Sequence, residues 1–499
     1  MKHIVLFGAG KSSTYLIEYL AAQLVPNGWR LTVLDADVNA ALEKTGNAPN
    51  SYAAYVNVTD EADRRKWIAE ADLVISLLPP TLHYQVALDC LSFSRNLLTA
   101  SYVDDNMRSL HAQVKDKDLI FLCECGLDPG IDHMSAMQLI TRLKNEGAVI
   151  HSFRSHCGGL VAPESNDNPW KYKISWNPRN VVLAGKAGAV FLENGKRVEM
   201  PYEQLFDAAR TVDVDGIGTL CWYPNRDSMG YTDLYELNSV NTFVRTTLRY
   251  PEFCFGWKNV VDLQLTSEKP EYDTNGLSLQ KFFQQHMKKH GFSEWVENQL
   301  TSRFRQTKIL LEKLEELLDA EGQLDDEKLE DLQEFMLVDG SGELLDVNLE
   351  DVKNSAAATV AGQMHEANLS LKQLIYLGMN DDTTLINKGR CSAADVLQFA
   401  LEQKLALKAD DKDMIVMQHE IGYSLNGMEH QVKSSLVVKG EDHVHTAMAK
   451  TVGLPLGIAA KLVLQEKITK KGVVIPVHEE IYEPMLAELQ HFGIFFGEK

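Results

Sequence analysis

Through its first 125 residues the chain alternates short apolar runs with longer stretches whose apolar residues recur every three or four positions. The runs are HIVLF (3–7), RLTVLD (30–35), SYAAYVNV (51–58), DLVISLL (72–78), NLLTASY (96–102) and LIFLCEC (119–125). Helical spacing predicts helices over 15–24, 61–70, 82–93 and 106–116 between them. A strand–helix alternation of this kind predicts an α/β fold: an N-terminal Rossmann domain, a doubly wound parallel sheet with helices on both faces.

The pattern changes after Gly126-Leu127-Asp128-Pro129-Gly130. A helix over 133–145 leads into AVIHSFRSH (148–156), a strand of mixed polarity. Asn194-Gly195 separates AVFLE from KRVEM, and Asn426-Gly427 separates MIVMQHEIGY from EHQVKSSLVV. Asn-Gly between two strand-like runs is a two-residue hairpin signal. These hairpins predict a second, α+β domain for substrate binding and dimerisation. Residues 275–350 carry Leu and Phe at helical spacing on a polar background, which predicts a helical insertion or dimerisation element. Ser392 and Asp395 form a capping-box pair ahead of another helix, and further helices are expected over 446–467 and 479–491. The expected organisation is a dinucleotide-binding domain over 1–128, with C-terminal helices 455–499 as candidates to complete it. An α+β domain over 129–454 follows, its helical insertion around 275–405.

Composition narrows the function classes. At 499 residues, 45% apolar and 24% charged, the chain is a globular protein of two or more domains. A net charge of −21 argues against sequence-independent nucleic-acid binding. Residues 301–350 hold 15 acidic against 5 basic side chains, so nearly half of that excess sits in one segment and a basic pocket elsewhere is affordable. No apolar run is expected to span a bilayer, and the N-terminal MKHIVLFGAG is read as a buried strand rather than a signal peptide. Seven scattered cysteines suit reduced thiols and a cytoplasmic location, and Cys123-x-Cys125 without a second pair argues against a zinc or other metal site.

Gly8-Ala9-Gly10-Lys11-Ser12-Ser13 follows the first strand and opens the first helix. Two glycines let the backbone turn tightly against a pyrophosphate, and the helix N-terminus supplies N–H groups. Ser13 stands where the usual third glycine would be. Gly10-Lys11-Ser12 imitates the end of a Walker A loop, but position 5 is valine instead of the glycine that loop requires. Asp35 ends the second strand, where a carboxylate receives the ribose hydroxyls and repels a 2′-phosphate, with Asp37 as a competitor. On these grounds NAD is expected over NADP.

The carboxyl edge of the sheet carries Ser76-Leu77-Leu78-Pro79, Ser101-Tyr102 and Gly126 to Gly130. With GLDPGIDHMSAM, CGGLVAPESNDNPWKYKISW (157–176), YPNRDS (223–228), RTTLRY (245–250), MIVMQHE and PLGIAAKLVLQEKI, these segments resemble the glutamate-forming branch of the saccharopine dehydrogenase family. The resemblance covers the chain except for the region around 290–350. It implies an oxidoreductase of lysine metabolism, commonly a homodimer. Such an enzyme oxidises the CH–NH group of saccharopine and yields L-glutamate and 2-aminoadipate 6-semialdehyde, or runs the reverse reductive condensation.

Residue by residue, the resemblance assigns Ser101, Tyr102, Asp128, Arg226, Thr247, Leu248 and Arg249 to the substrate. It assigns Asn57, Val58, Leu77, Leu127 and Trp176 to the cofactor, beside Gly8, Gly10, Lys11, Ser12, Ser13 and Asp35. Lys171, Lys173 and Trp176 are expected to face a carboxylate-rich ligand and the cofactor. Asp128, Tyr102 and Cys157 are the titratable candidates for proton transfer. Arginine suits this substrate because its planar fork binds a carboxylate through two hydrogen bonds. Two other readings stay open: a carboxynorspermidine dehydrogenase-like enzyme that joins a polyamine to an aldehyde, and a non-catalytic NAD-sensing protein whose acidic segment is its partner surface.

Overall fold

The computed structural model describes residues 1–206, 210–295, 334–338, 344–348 and 368–499. The chain divides into two compact units. The first comprises Met1–Asp167, Lys171–Cys254 and Leu405–Lys499, and the second Asn168–Trp170 with Phe255–Lys404.

In the first unit the apolar runs become β1 (Lys2–Phe7), β2 (Trp29–Asp35), β3 (Ser51–Tyr55), β4 (Leu73–Ser76), β5 (Asn96–Thr99) and β6 (Ile120–Leu122). Gly472–Val474 adds a seventh strand beside β6, and all neighbours are parallel in the order Gly472–Val474, β6, β5, β4, β1, β2, β3. The order reverses between β1 and β4, the point at which an open α/β sheet leaves a crevice for a ligand. The helices are α1 (Thr14–Asn27), α2 (Val38–Thr45), α3 (Glu61–Ala69), α4 (Pro80–Phe93), α5 (Asp105–Ser109) and α6 (His111–Asp116). Helix α2 has no counterpart in the apolar periodicity. Asp37 starts it, accepting from the Asn39 and Ala40 N–H groups at 3.0 and 3.4 Å, so Asp37 is a helix cap rather than a rival ribose ligand.

Helix α7 (Ile131–Asn145) leads into β7 (Val149–Val161), the centre of a mixed sheet. Its neighbours are Thr242–Arg249, parallel to it, and Asp413–Leu425, antiparallel. The Asn-Gly hairpins join Ala189–Glu193 to Lys196–Met200 and Asp413–Leu425 to Met428–Lys439. One apolar core connects β1 and α1 with α7, β7 and the helices Ala447–Leu464 and Glu479–Gln490. Ala447–Leu464 is long and apolar enough to cross a bilayer by length and composition, against expectation, but 83% of it is buried. An all-round apolar helix is what a core position requires. Gly453 and Gly457 bring it against Leu16 and Tyr19 of α1: an added Cβ would lie 2.8 Å from the Leu16 nitrogen and 2.6 Å from the Tyr19 ring.

The second unit pairs Pro270–Asp273 with Arg390–Ser392 and contains the helices Leu279–Lys289 and Ala393–Lys404. The capping box is formed: Asp395 Oδ2 accepts from the Ser392 N–H at 2.8 Å, and the Asp395 N–H donates to Ser392 Oγ at 3.1 Å. Glu334–Val338 and Leu344–Asn348 pair as antiparallel strands, which corrects the helical expectation there. Turn residues Asp339-Gly340-Ser341-Gly342 lie between two short apolar runs, a pattern masked by the longer-range spacing of leucines. The rest of the expected insertion over 296–333 and 349–367 lies outside the described residues.

Candidate active site

A cavity of about 810 Å³ opens along the carboxyl edge of the parallel sheet, within the first unit. Gly10, Lys11, Ser12, Leu77 and Leu127 line it together with Ser101, Tyr102, Asp128, Cys157, Trp176, Arg226, Thr247 and Arg249.

Glycines shape the dinucleotide end. Gly8 has φ +105°, and a Cβ there would fall 2.9 Å from the Leu77 carbonyl oxygen, so the turn packs against the end of β4 only without a side chain. A Cβ on Gly10 would meet nothing within 4 Å, which leaves open space in front of the short 3₁₀ turn Lys11–Ser13 that starts α1. A glycine turn that leaves open space at the start of a helix is what a pyrophosphate needs, so these residues fit a nicotinamide dinucleotide. Ser13 is fully buried and serves the turn, donating to the Gly10 carbonyl at 2.9 Å. Asp35 is also committed to the backbone: Oδ2 accepts from the Ala9 N–H at 2.6 Å and Oδ1 from the Asp37 N–H at 2.9 Å. Lys44 of α2 donates to the Gly10 carbonyl and to Ser13 Oγ, and burial lowers its pKa to about 8. Asn57 holds its own turn, accepting from Thr59, and Val58 packs on the core under β3, so neither lines the cavity.

The opposite wall is built on Thr242–Arg249 and α7. Arg245 Nη2 donates to Asp128 Oδ1 at 2.6 Å and to Asp132 Oδ2 at 2.7 Å. Its guanidinium lies 4.4 Å from the Tyr231 ring centroid and 5.7 Å from that of Tyr102. The Tyr102 hydroxyl donates to Asp128 Oδ1 at 3.0 Å. Behind this cluster His133 bridges Glu124 Oε2 at 2.8 Å and the Tyr235 hydroxyl at 2.5 Å, and the Tyr231 hydroxyl donates to Glu124 Oε2 at 3.0 Å. Burial raises the Asp128 pKa against the pull of Arg245, whereas for Asp132 the charges of His133 and Arg245 outweigh burial and lower it. Two neighbouring carboxyls pushed in opposite directions are suited to different duties. Burial drives the Tyr102 hydroxyl and the Cys157 thiol far above their ordinary pKa values. Cys157 is therefore a neutral thiol rather than a nucleophile or base.

Arg249 differs from Arg245. It is buried, lies against the Tyr172 and Phe253 rings, and donates to the Leu248 carbonyl at 2.8 Å, while its Nε has no hydrogen-bond partner. Arg226, at φ +54°, is exposed and stacks 5.0 Å from the Tyr102 ring centroid. Among the described residues neither guanidinium has a carboxylate partner. Leu248 points to the other face of the sheet and joins an apolar cluster there, so its side chain does not reach the cavity. Strand alternation separates it from Thr247 and Arg249.

The lysine expectation fails for a related reason. Lys173 is buried and paired with Asp411 at 2.6 Å and Asp167 at 2.9 Å, and Lys171 pairs with Glu252 at 3.4 Å. A buried ammonium requires carboxylate partners, and here the protein supplies them. Trp176 does reach the cavity, its Nε1–H donating to the Tyr172 hydroxyl at 3.1 Å. Arg245, Asp132, His133 and Glu124 were not singled out from the sequence, although three of them lie inside GLDPGIDHMSAM and RTTLRY. The available signal was the density of charge in segments that are otherwise core-like.

Residues 4–122 match the family described as Saccharopine dehydrogenase NADP binding domain, and residues 126–494 match Saccharopine dehydrogenase C-terminal domain. The chain is 29% identical to Saccharopine dehydrogenase [NADP(+), L-glutamate-forming] of Saccharomyces cerevisiae, over 100% of this chain and 99% of that one. It is 31% identical to mitochondrial Alpha-aminoadipic semialdehyde synthase of Bos taurus, over 99% of this chain and 47% of the bovine protein. The chain thus spans about half the length of the bovine relative, as it does of the Arabidopsis thaliana one, at 44%. The solved structure of apo saccharopine dehydrogenase (L-Glu forming) from Saccharomyces cerevisiae matches with a TM-score of 0.76 at 26% identity, over 100% of this chain and 99% of that one. The expected preference for NAD gains no support here, since the matched family and the yeast relative both carry NADP in their names. The physical reason is that Asp35 is engaged by two backbone N–H groups, of Ala9 in the glycine turn and of Asp37 in its own turn, so its presence is explained without a ribose.

Proposed function

The chain belongs to the saccharopine dehydrogenase family, and from that premise we propose that it interconverts saccharopine, water and an oxidised nicotinamide dinucleotide with L-glutamate, 2-aminoadipate 6-semialdehyde, the reduced dinucleotide and a proton. The observation that carries this reading is the pair Arg226 and Arg249, two guanidinium groups without carboxylate partners among the described residues, in the same cavity as the Gly10 turn. In a protein of net charge −21 such cations mark a site for an anion with several carboxylates. A dicationic polyamine would be repelled there.

Gly10, Lys11 and Ser12 hold the pyrophosphate, with Leu77, Leu127 and Trp176 toward the nicotinamide. The bound nicotinamide supplies or accepts the hydride at the CH–NH carbon. Arg226, Arg249, Thr247 and Ser101 bind and orient the carboxylates. Oxidation needs the secondary amine neutral, and hydrolysis of the resulting imine needs a group that takes a proton from water and returns it to the leaving amine. Asp128, with its raised pKa and its Tyr102 hydrogen bond, serves that purpose. Arg245 holds it in place. Either nicotinamide dinucleotide is expected to serve. We expect a homodimer, measurable by sedimentation, and a reducing compartment for seven free thiols.

The test is NADH or NADPH oxidation with glutamate plus the semialdehyde, run beside a diamine with the matching aldehyde. Turnover confined to the amino-acid pair supports the proposal. Turnover of the diamine pair, or of neither, sinks it. The ratio of kcat/KM for the two cofactors measures what Asp35 contributes.

A further inference from the structure

Two cavity residues that the proposed reaction has not used, Ser76 and His83, form a chain of hydrogen bonds that ends on Ser101. His83 sits in the first turn of α4, with its Nδ1 2.8 Å from Ser76 Oγ at the end of β4 and its Nε2 2.7 Å from Ser101 Oγ just after β5. We infer that Ser76 and His83 are positioning residues that fix the direction of this chain, so that the Ser101 hydroxyl always presents its hydrogen to the cavity as a donor for a substrate carboxylate. This rests on the proposed function for the nature of the acceptor.

The direction follows from counting protons. Burial lowers the His83 pKa to about 4, so the ring is neutral and carries one N–H. One serine must then donate to the ring and the other accept from it. Ser76 is fully buried, and among the described residues its Oγ has no partner other than His83. If Ser76 accepted from Nδ1–H, its own hydrogen would be stranded in the interior. Ser76 therefore donates to Nδ1, the ring proton sits on Nε2, and Nε2–H donates to Ser101 Oγ. Ser101 is partly exposed in the cavity, so its hydrogen is the one free to meet a ligand. A hydroxyl held as a donor loses little freedom on binding, and it refuses an acceptor-poor ligand in its place.

Steady-state kinetics on Ser76→Ala, Ser101→Ala, the double variant and Ser76→Thr test the relay. Each single alanine variant should raise KM for glutamate about tenfold with kcat within about twofold, as expected for loss of one hydrogen bond to a charged group. The double variant should be no worse than either single one, and Ser76→Thr should behave as the wild type. NADPH affinity, read by fluorescence titration, should stay the same throughout. Effects that multiply in the double variant, or a shift in NADPH affinity instead of KM, overturn the inference. ¹⁵N chemical shifts of the imidazole, assigned with a His83→Gln variant, should show the proton on Nε2 alone at pH 7 in the wild type and a mixture of both tautomers in Ser76→Ala. A wild-type Nδ1–H form overturns the relay. Failure of the wild type to turn over the glutamate pair counts against the function alone, because the tautomer is read without substrate.

Discussion

Arg245 and Arg249 lie four residues apart on one strand, on the same face, and both are buried. Their surroundings differ. Arg245 is clamped by Asp128 and Asp132, whereas Arg249 has backbone carbonyls, two aromatic rings and no carboxylate among the described residues. A buried guanidinium with two carboxylates is balanced by the protein itself. One without any is balanced only when an anion arrives. The same residue type thus holds the site together at one position and reads the ligand at the other.

Removing each arginine should separate the two duties. Arg245→Met takes the guanidinium from two buried carboxylates and should cost about 3–5 kcal/mol of stability together with most of the activity. Denaturant unfolding measures it, and a loss below about 1 kcal/mol would mean that the clamp is not structural. Arg249→Met should leave stability within about 1 kcal/mol of wild type, because no buried carboxylate is stranded, while KM for the dicarboxylate substrate rises about 100-fold. An unchanged KM would place Arg249 outside the site.

The contrast extends to the cofactor end, which is built from backbone. Gly8→Ala, with its Cβ against the Leu77 carbonyl at a positive φ, should weaken NADPH binding by about tenfold or more and cost about 1–3 kcal/mol, without altering the Arg245 clamp. Equal losses of glutamate and NADPH affinity would blur the distinction. The smallest effect concerns pH. Burial lowers the pKa of His419, which hydrogen-bonds Ser135 of α7, to about 4 from an ordinary 6.5. Unfolding then takes up a proton between those values, so stability should fall on acidification by about 1.4 kcal/mol per pH unit for this residue. His419→Gln should remove one proton's worth of that slope in urea unfolding at pH 7, 6 and 5. An unchanged slope would assign the acid sensitivity to other groups.

Much of the architecture was legible because burial on both faces leaves a direct trace in sequence. HIVLF, DLVISLL and the Asn-Gly hairpins announce their structure locally, and so do Gly8 and Gly10. Helix α2 escaped because its cap, Asp37, carries the signal rather than apolar spacing, and Gly472–Val474 escaped because three residues are too few for a period. Among the candidate site residues, the cavity gathers Ser101, Tyr102, Asp128, Arg226, Thr247 and Arg249 from four separate segments, and it leaves Asn57, Val58 and Leu248 out.

The sequence by itself determined the alternating elements, the glycine turn at the sheet edge and the supply of cations in named motifs, since each depends on spacing along a few residues. Only the tertiary structure decided which cations meet carboxylates of the protein and which wait for a ligand. Lys173 finds Asp411 across 238 positions and Arg245 finds Asp128 across 117, while Arg249 finds neither. Charge pairing acts through space over a few ångströms, and which charges come that close is set by the packing of the whole sheet.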